Sequence, residues 1–226
     1  MAVSANTVYQ RVLVTANKEQ RGYITPQEFN LFANQAQLEI IEQYFYDINQ
    51  FSRLHGNDTD YSDMLDLLND KLSVFKVNVT SISLIQNKTT LPADMFKMGQ
   101  VISNNYELDQ VEPTTINLMM SSKLLKLSAM NSVYTLQGNE IEIHGTAENV
   151  SYTYIRKPNT VSWGYVVVNE KAMYNPGNTN DFELHALEET ELVYKILTLA
   201  GIALKRPDVS STAAALQQTK IQQEKI

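Results

Sequence analysis

Apolar residues at helical spacing dominate the first third of the chain. A first short stripe, which ends near Gln20, consists of Val8, Val12 and Leu13. A longer helix is predicted from Thr25 to about Leu54. Its start, Thr25-Pro26-Gln27-Glu28, combines a capping residue, a proline at the first helical position and the glutamate of a capping box. A shorter helix, predicted after Gly56-Asn57-Asp58, carries Tyr61, Met64, Leu65, Leu68 and Leu72.

The long helix has two apolar stripes, which predicts that it lies between two neighbours. The first stripe consists of Phe29, Ala33, Ala36, Ile40, Tyr44, Ile48 and Phe51. The second stripe consists of Leu31, Leu38, Ile41 and Phe45. Both stripes can pack inside one subunit, or the second can face an adjacent subunit, and the pattern leaves both interpretations open. In the second interpretation those four residues are the candidates for a subunit–subunit contact.

Alternating patterns and turn residues predict a β domain over residues 73–176. A hairpin is indicated where Val133–Leu136 and Ile141–Ile143 flank a turn that contains Gly138-Asn139. Residues 113–120 are compatible with a short helix. Further strands are predicted at Val74–Val79, Met98–Ser103, Val150–Ile155 and Tyr165–Val168, and another strand is predicted to end at Thr90. Short strands that follow helices argue for an α+β fold.

The last part of the chain returns to helical spacing. A packed C-terminal helix is predicted within residues 177–206, because Leu192 to Leu204 is apolar almost all round and Pro207 follows it. Residues 207–226 contain few large apolar side chains, so we expect a flexible arm that orders on a partner, with a helix as one form it can take there. The predicted fold is α+β: an N-terminal helical bundle (1–72) with a long central helix, an inserted antiparallel β domain, the packed C-terminal helix and an extended C-terminal arm.

Composition and charge narrow the possible functions. The chain has 226 residues, 18 Lys+Arg, 25 Asp+Glu, a formal net charge of −7 and no cysteine. Disulfides and cysteine-ligated zinc are therefore excluded. Binding to nucleic acid through net charge is disfavoured. We expect no signal peptide, because the first seven residues lack a basic region followed by an apolar one. We expect no membrane span either, because no apolar run approaches the roughly 18 residues that a span needs.

The sequence gives only weak evidence for a catalytic or metal-binding site. The three histidines, His55, His144 and His185, have no metal-ligand spacing, and the acidic run from Asp58 to Asp66 fails as a calcium loop. Glu140 and Glu142 fit an exposed hairpin better than a catalytic pair. One alternative stays open, a carbohydrate- or receptor-binding module built on an aromatic face of the β domain. Its candidates are Tyr152, Tyr154, Trp163 and Tyr165.

Four segments carry a family resemblance. They are Val8–Phe45, with Asn17-Lys18-Glu19-Gln20-Arg21-Gly22-Tyr23-Ile24 before the long helix; Thr90–Phe96, which contains a Leu-Pro-x-Asp stretch; Tyr154–Pro158 with Trp163 and Tyr165; and Asp181-Phe182-Glu183-Leu184-His185 through Lys205. In this order they resemble the head-to-tail connector, or ring, proteins of short-tailed bacteriophages of the crAss-like type. The motifs are structural and not catalytic.

The resemblance implies a non-enzymatic virion protein at the head–tail interface or upper tail, assembled in the host cytoplasm. It implies a homo-oligomeric ring of about twelve copies. The ring would bind the portal and other tail ring or tail-tube proteins, and genomic DNA would pass through it without specific binding. No cofactor, metal or membrane is implied. Another ring or tail-tube protein of the same stack is the alternative. The residues implied for the partner-binding arm are Pro207, Val209, Leu216, Lys220, Ile221, Glu224, Lys225 and Ile226.

Overall fold

Two compact units make up the protein. The computed structural model describes residues 2–16, 24–53, 58–82, 84, 86–122, 127–128, 131–146, 150–203 and 207–224. Unit 1 comprises Met1–Lys71 and Pro158–Ile226, and unit 2 comprises Leu72–Lys157. The architecture is mixed, with helices and antiparallel sheets, so the predicted α+β fold with an inserted β domain is confirmed.

Six α-helices occur in the described residues: α1 (Ala5–Ala16), α2 (Pro26–Arg53), α3 (Asp58–Ser73), α4 (Pro113–Ser121), α5 (Glu189–Ala203) and α6 (Pro207–Glu224). Helix α2 begins at the predicted capping box. The Thr25 amide and hydroxyl both donate to Glu28 Oε2 at 2.8 Å, and the Glu28 amide donates to Thr25 Oγ1 at 3.3 Å. These bonds lower the pKa of Glu28, first through the Thr25 amide and then through its hydroxyl. Helix α4 resolves the ambiguous segment after residue 112 in favour of a helix.

The core of unit 1 lies between α1, α2 and α5. The first predicted stripe of α2 faces it, since Phe29, Ala33, Ala36 and Ile40 are fully buried. Two contacts hold the start of the chain near the segment before α5. The Ala5 amide donates to Asp181 Oδ1 at 2.8 Å, and Val3 forms an antiparallel bridge with Phe182. Residues far apart in sequence therefore complete one helical body.

The C-terminal arm differs from its prediction. Residues 207–224 form helix α6, because Pro207 suits a first helical turn and the alanines that follow favour a helix. The helix packs against α5, where Gly201 lies so close to Ser210 that a Cβ on Gly201 would be 2.8 Å from the Ser210 amide nitrogen. Ala213 is buried. The prediction of an extended arm is therefore wrong for residues 207–224.

Unit 2 contains two four-stranded sheets and helix α4. One has the strand order β1-β8-β3-β4 and the other β2-β7-β6-β5. All pairs are antiparallel except β5 and β6. The strands are β1 (Lys76–Ile82), β2 (Lys88–Thr90), β3 (Met95–Ser103), β4 (Tyr106–Glu107), β5 (Asp109–Gln110), β6 (Val133–Gln137), β7 (Glu140–His144) and β8 (Val150–Arg156). The predicted β6–β7 hairpin is confirmed, with Gly138 in the left-handed region at a φ of 60°.

The core of unit 2 draws apolar side chains from both sheets. Val101, Tyr152 and Tyr154 come from the first sheet, and Ile141 and Ile143 from the second. This shared core explains why the segment forms a compact unit of its own.

Unit 1 contains a separate two-stranded hairpin. Its strands are β9 (Tyr165–Val168) and β10 (Lys171–Tyr174), joined by Asn169 and Glu170 at φ values of 49° and 63°. Positive φ at both turn residues is typical of a tight type I′ hairpin. The predicted domain division placed residues 158–176 in the β domain. The structure groups them with the helices of unit 1, because side chains of α2 bind the segment that leads into the hairpin.

Candidate interaction surfaces

A row of amide side chains on α2 binds residues 159–163. Asn34 Oδ1 accepts a hydrogen bond from the Val161 amide at 2.8 Å, and Asn34 Nδ2 donates to the Val161 carbonyl at 2.8 Å. The Trp163 amide donates to Asn30 Oδ1 at 2.7 Å, and Gln37 Nε2 donates to the Asn159 carbonyl at 3.0 Å. These amide groups pair with an extended backbone as a neighbouring strand would. The row, Asn30, Asn34 and Gln37, thereby fixes the base of the β9–β10 hairpin on α2.

Helix α2 presents an apolar stripe on the side away from its core face. Leu31 is 72% exposed, Leu38 is 43% exposed and Tyr46 is 61% exposed. Phe45, seven residues after Leu38, is half-buried. We call Leu31, Leu38, Phe45 and Tyr46 the α2 stripe. Ile41, which the sequence placed with these residues, is buried in the core of unit 1, because it lies nearer the core face of the helix.

The β9–β10 hairpin has two different faces. Cross-strand partners share a face, so Tyr165 and Tyr174 belong to one face and Val166, Val168 and Met173 to the other. Tyr165 and Tyr174 stack against Trp163, with ring centroids 5.9 Å and 5.8 Å from it. Val166, Val168 and Met173 are about half exposed, at 50%, 46% and 57%. We call these three residues the hairpin patch.

Trp163 anchors the hairpin to unit 1. Trp163 is 3% exposed, and its ring lies 4.3 Å from the Tyr9 ring of α1, centroid to centroid. Its indole N–H donates to Asn6 Oδ1 at 3.0 Å. An open cleft of 500 Å³ lies beside it, lined by Tyr9, Gln10, Leu13, Trp163, Glu170, Lys171, Ala172 and Tyr174. The hairpin therefore has a fixed base and an exposed distal part.

The four residues of the predicted aromatic face do not form one face. Tyr152 and Tyr154 belong to the core of unit 2, and Trp163 and Tyr165 belong to unit 1. Tyr152, Tyr154 and Trp163 are at most 6% exposed, so none can offer an open ring for stacking. Burial raises the pKa of the Tyr154 phenol, and the Asp94 carboxylate raises it further. The aromatic residues are core and anchor residues, which removes the basis for a sugar platform here.

The residues expected in the partner-binding arm lie on α6 or beyond it. Leu216 is 46% exposed on α6. The side chains of the other α6 candidates, Pro207, Val209, Lys220, Ile221 and Glu224, lie outside the described part of the structure, and so do Lys225 and Ile226 as whole residues. Leu216 is thus the arm residue whose surface exposure is established.

The candidate catalytic and metal-binding residues have structural partners. His144 Nε2 lies 3.2 Å from Thr135 Oγ1, and His185 Nδ1 accepts from the Leu187 amide at 3.3 Å. Glu142 pairs with Lys88 of the adjacent strand at 3.3 Å. The acidic run after residue 57 forms the first turns of α3 and not a loop, whereas His55 lies outside the described residues. Among the described residues, no three His, Asp or Glu side chains are grouped to hold a metal ion.

Charge divides unevenly between the two units. Residues 72–157 contain seven Lys+Arg and seven Asp+Glu, which leaves 11 basic and 18 acidic residues, and the whole net charge of −7, to unit 1. Between Ile24 and Ser52, a stretch that includes most of α2, the chain has four acidic residues and neither Lys nor Arg. The α2 stripe therefore lies on an acidic helix.

Comparison with known proteins gives no family assignment. No protein-family model matches the chain, and no curated protein matches it. Within the residues that the structure describes, no helix has both the length and the apolar character to cross a membrane.

Sequence reasoning missed the amide row and the hairpin patch. Asn30, Asn34 and Gln37 recur at spacings of four and three, which is the signal of a polar stripe on one helix face. Strand β10 was missed because Lys171-Ala172-Met173-Tyr174 is short. The preceding Asn169-Glu170 lacks the glycine that usually marks a two-residue hairpin turn.

Proposed function

We propose that this chain is a structural virion subunit, a head-to-tail adaptor of a short-tailed bacteriophage. In this proposal several copies form a ring that joins the portal to the tail, and genomic DNA passes through its lumen. The protein has no catalytic role in the proposal. The family resemblance described above supplies the identity of the partners and the expected number of about twelve copies.

One observation carries the proposal: unit 1 has a complete core and still exposes two apolar surfaces. The α2 stripe and the hairpin patch lie on different elements, and the amide row ties those elements into one body. Exposed apolar clusters on a well-packed body mark interaction sites. Two different sites on one rigid body produce head-to-tail contacts, and such contacts close into a ring when the rotation between copies allows it.

The charge distribution is compatible with a DNA conduit. A lumen lined by carboxylates repels the phosphate backbone and lets DNA slide without sticking. Unit 1 carries the whole net charge of −7, so we place acidic residues of unit 1 at the lumen as a hypothesis. A map of Asp and Glu positions in the assembled ring tests this placement, and a basic lumen would contradict it.

A neighbouring ring or tail-tube protein of the same stack is the alternative within this class. It shares the exposed surfaces and differs only in its partners. Unit 2 also exposes apolar residues on α4, where Leu118 and Met120 are 70% and 61% exposed. In the adaptor proposal these residues face later tail components.

Negative-stain imaging of the purified protein with and without its portal tests the proposal directly. We expect rings seated on the portal. Rings that bind only other tail proteins would favour the neighbouring-ring alternative. Absence of any assembly with portal, with tail proteins and with the chain alone would refute the proposal.

A point substitution on α6 tests more cleanly than a deletion does whether this helix binds the portal. Deleting α6 would uncover the face of α5 against which it packs, so loss of binding would be ambiguous. Leu216→Glu changes an exposed residue, and we expect it to weaken portal docking while the fold is kept. Gln218→Glu, also exposed on α6, is the matched control for the added charge. Equal docking by both variants would remove Leu216 from the contact.

A further inference from the structure

We infer that the hairpin patch of one copy docks on the α2 stripe of a second copy. The inference rests on the self-assembly in the proposed function and adds which two surfaces meet. Each exposed surface is thus covered by another copy of the same chain. No described residue of unit 1 pairs with an outer edge of the hairpin, and β9 and β10 form a two-stranded sheet.

The hairpin needs a covering surface. A two-stranded hairpin is at best marginally stable in water, and a sheet normally gains stability when one face packs on another element. Trp163 covers the base of one face through Tyr165 and Tyr174. That face also exposes Val167, at 63%, beside the anchored base, whereas the opposite face presents three half-exposed apolar side chains together, Val166, Val168 and Met173, so it is the face that we assign to a partner.

The α2 stripe is long enough to cover the hairpin patch. Leu31, Leu38 and Phe45 follow one another at intervals of seven residues, which keeps them on one side of the helix. From Leu31 to Tyr46 the stripe is about 22 Å long at 1.5 Å per residue. A four-residue strand spans about 13 Å, so the hairpin patch can lie within the length of the stripe.

Charge complementarity between the two surfaces favours a second copy as the occupant. Lys171 is the one charged residue in the two hairpin strands, it pairs with Val168 on the face of the hairpin patch, and Glu170 precedes it in the turn. The segment that carries the α2 stripe has carboxylates and no basic residue between Ile24 and Ser52. Glu42 lies on the exposed side of α2, between Leu38 and Tyr46. The contact would be apolar at its centre, with a lysine beside the hairpin patch and a glutamate beside the α2 stripe. The two surfaces are therefore complementary in apolar character and in charge.

The two surfaces lie on one body at a fixed relation. The amide row binds residues 159–163 to the same helix that carries the stripe, and the hairpin begins two residues later. Patch-to-stripe docking is therefore heterologous, because each copy uses its patch on one neighbour and its stripe on the other. Docking of two patches on each other would instead give a closed dimer.

Cysteine crosslinking between two variants tests the pairing. The natural chain has no cysteine, so Met173→Cys and Leu38→Cys each introduce a single thiol. The two proteins are purified separately, mixed, and treated with a short bismaleimide. We expect a covalent dimer in the mixture and only background dimer with either variant alone. Both positions are exposed, so the fold should persist, and Trp163 fluorescence checks this.

Val14→Cys is the matched control, since Val14 is an exposed apolar residue of unit 1 outside both surfaces. Its mixture with Met173→Cys should give background dimer only. A strong dimer band from Met173→Cys alone would show patch-to-patch docking and overturn the inference. Rings of the unmodified chain without a mixed crosslink would also overturn it, while the proposed function stands. Failure of the unmodified chain to assemble under any condition would overturn both.

Discussion

Unit 1 and unit 2 bury the same kinds of residue but present different surfaces. Unit 2 closes a core between two sheets, buries Tyr152 and Tyr154, and has balanced charge. Unit 1 also has a full core, but it carries all of the net negative charge and exposes the α2 stripe and the hairpin patch. The type of a residue therefore does not reveal whether it serves the core or a surface. Aromatic residues at similar spacing are core residues in one unit and an anchor for an exposed hairpin in the other.

The units also differ in how polar groups are used inside them. Unit 1 relies on side-chain bonds between distant segments, including the amide row and a buried ion pair between Lys71 Nζ and Glu188 Oε1 at 2.7 Å. Unit 2 relies on strand pairing, in which backbone groups satisfy one another. A single substitution of a polar side chain should therefore lower the stability of unit 1 more than that of unit 2.

The largest loss of stability is expected from Lys71→Met. The side chains of Lys71 and Glu188 are 8% and 0% exposed, so removal of the lysine leaves a buried carboxylate without this partner. We expect a loss of about 3–5 kcal/mol in the free energy of unfolding. Urea unfolding followed by Trp163 fluorescence measures it, because the single tryptophan is buried in unit 1.

Two comparators sharpen this prediction. Lys71→Met with Glu188→Leu replaces the pair by apolar groups and should recover much of the loss. Ile141→Ala, in the core of unit 2, should cost about 2–5 kcal/mol in unit 2. Hydrogen exchange in unit 2 reports that change. If Ile141→Ala shifts the Trp163 transition as strongly as Lys71→Met does, the two units do not unfold separately, and the comparison between them fails.

A smaller effect is expected from Asn34→Ala. This change leaves the buried amide and carbonyl of Val161 without their side-chain partner, at a cost of about 1–3 kcal/mol. The same Trp163 transition measures the loss, and the hairpin should exchange its amides faster. Gln35→Ala on the exposed side of α2 is the control, with a change within about 0.5 kcal/mol. Equal effects of the two variants would contradict the role of the amide row.

The smallest effect is expected at the capping box of α2. Thr25→Ala should cost about 1 kcal/mol at neutral pH. Because the pKa of Glu28 is lowered in the folded protein, its stabilising contribution is present above the unfolded pKa and is lost as pH falls through the folded pKa. Stability measured from neutral pH into the acid range should therefore fall less steeply in Glu28→Gln. A parallel pH profile for this variant and the natural chain would contradict the assignment.

Local signals predicted the elements well where one short motif decides the structure. The capping box at Thr25 located the start of α2, and Gly138-Asn139 located the β6–β7 turn. The candidate surfaces were predicted less completely. Leu31 and Leu38 are exposed as a subunit contact requires, whereas Ile41 is buried, because a periodic pattern does not show how wide the core face of a helix is. The hairpin patch was missed altogether.

Patterns in the sequence were enough to predict the class of fold, the order of most helices and strands, the acidic balance and the absence of thiol chemistry. These properties follow from composition and from patterns within a few residues of one another. Long-range packing places residues 158–176 in unit 1, buries Trp163, and brings the hairpin patch and the α2 stripe onto one body. Each of these depends on contacts such as Asn30 with Trp163 and Asn6 with Trp163, over separations of 133 and 157 residues. Contacts at that range arise from packing the whole chain, and no local pattern encodes them.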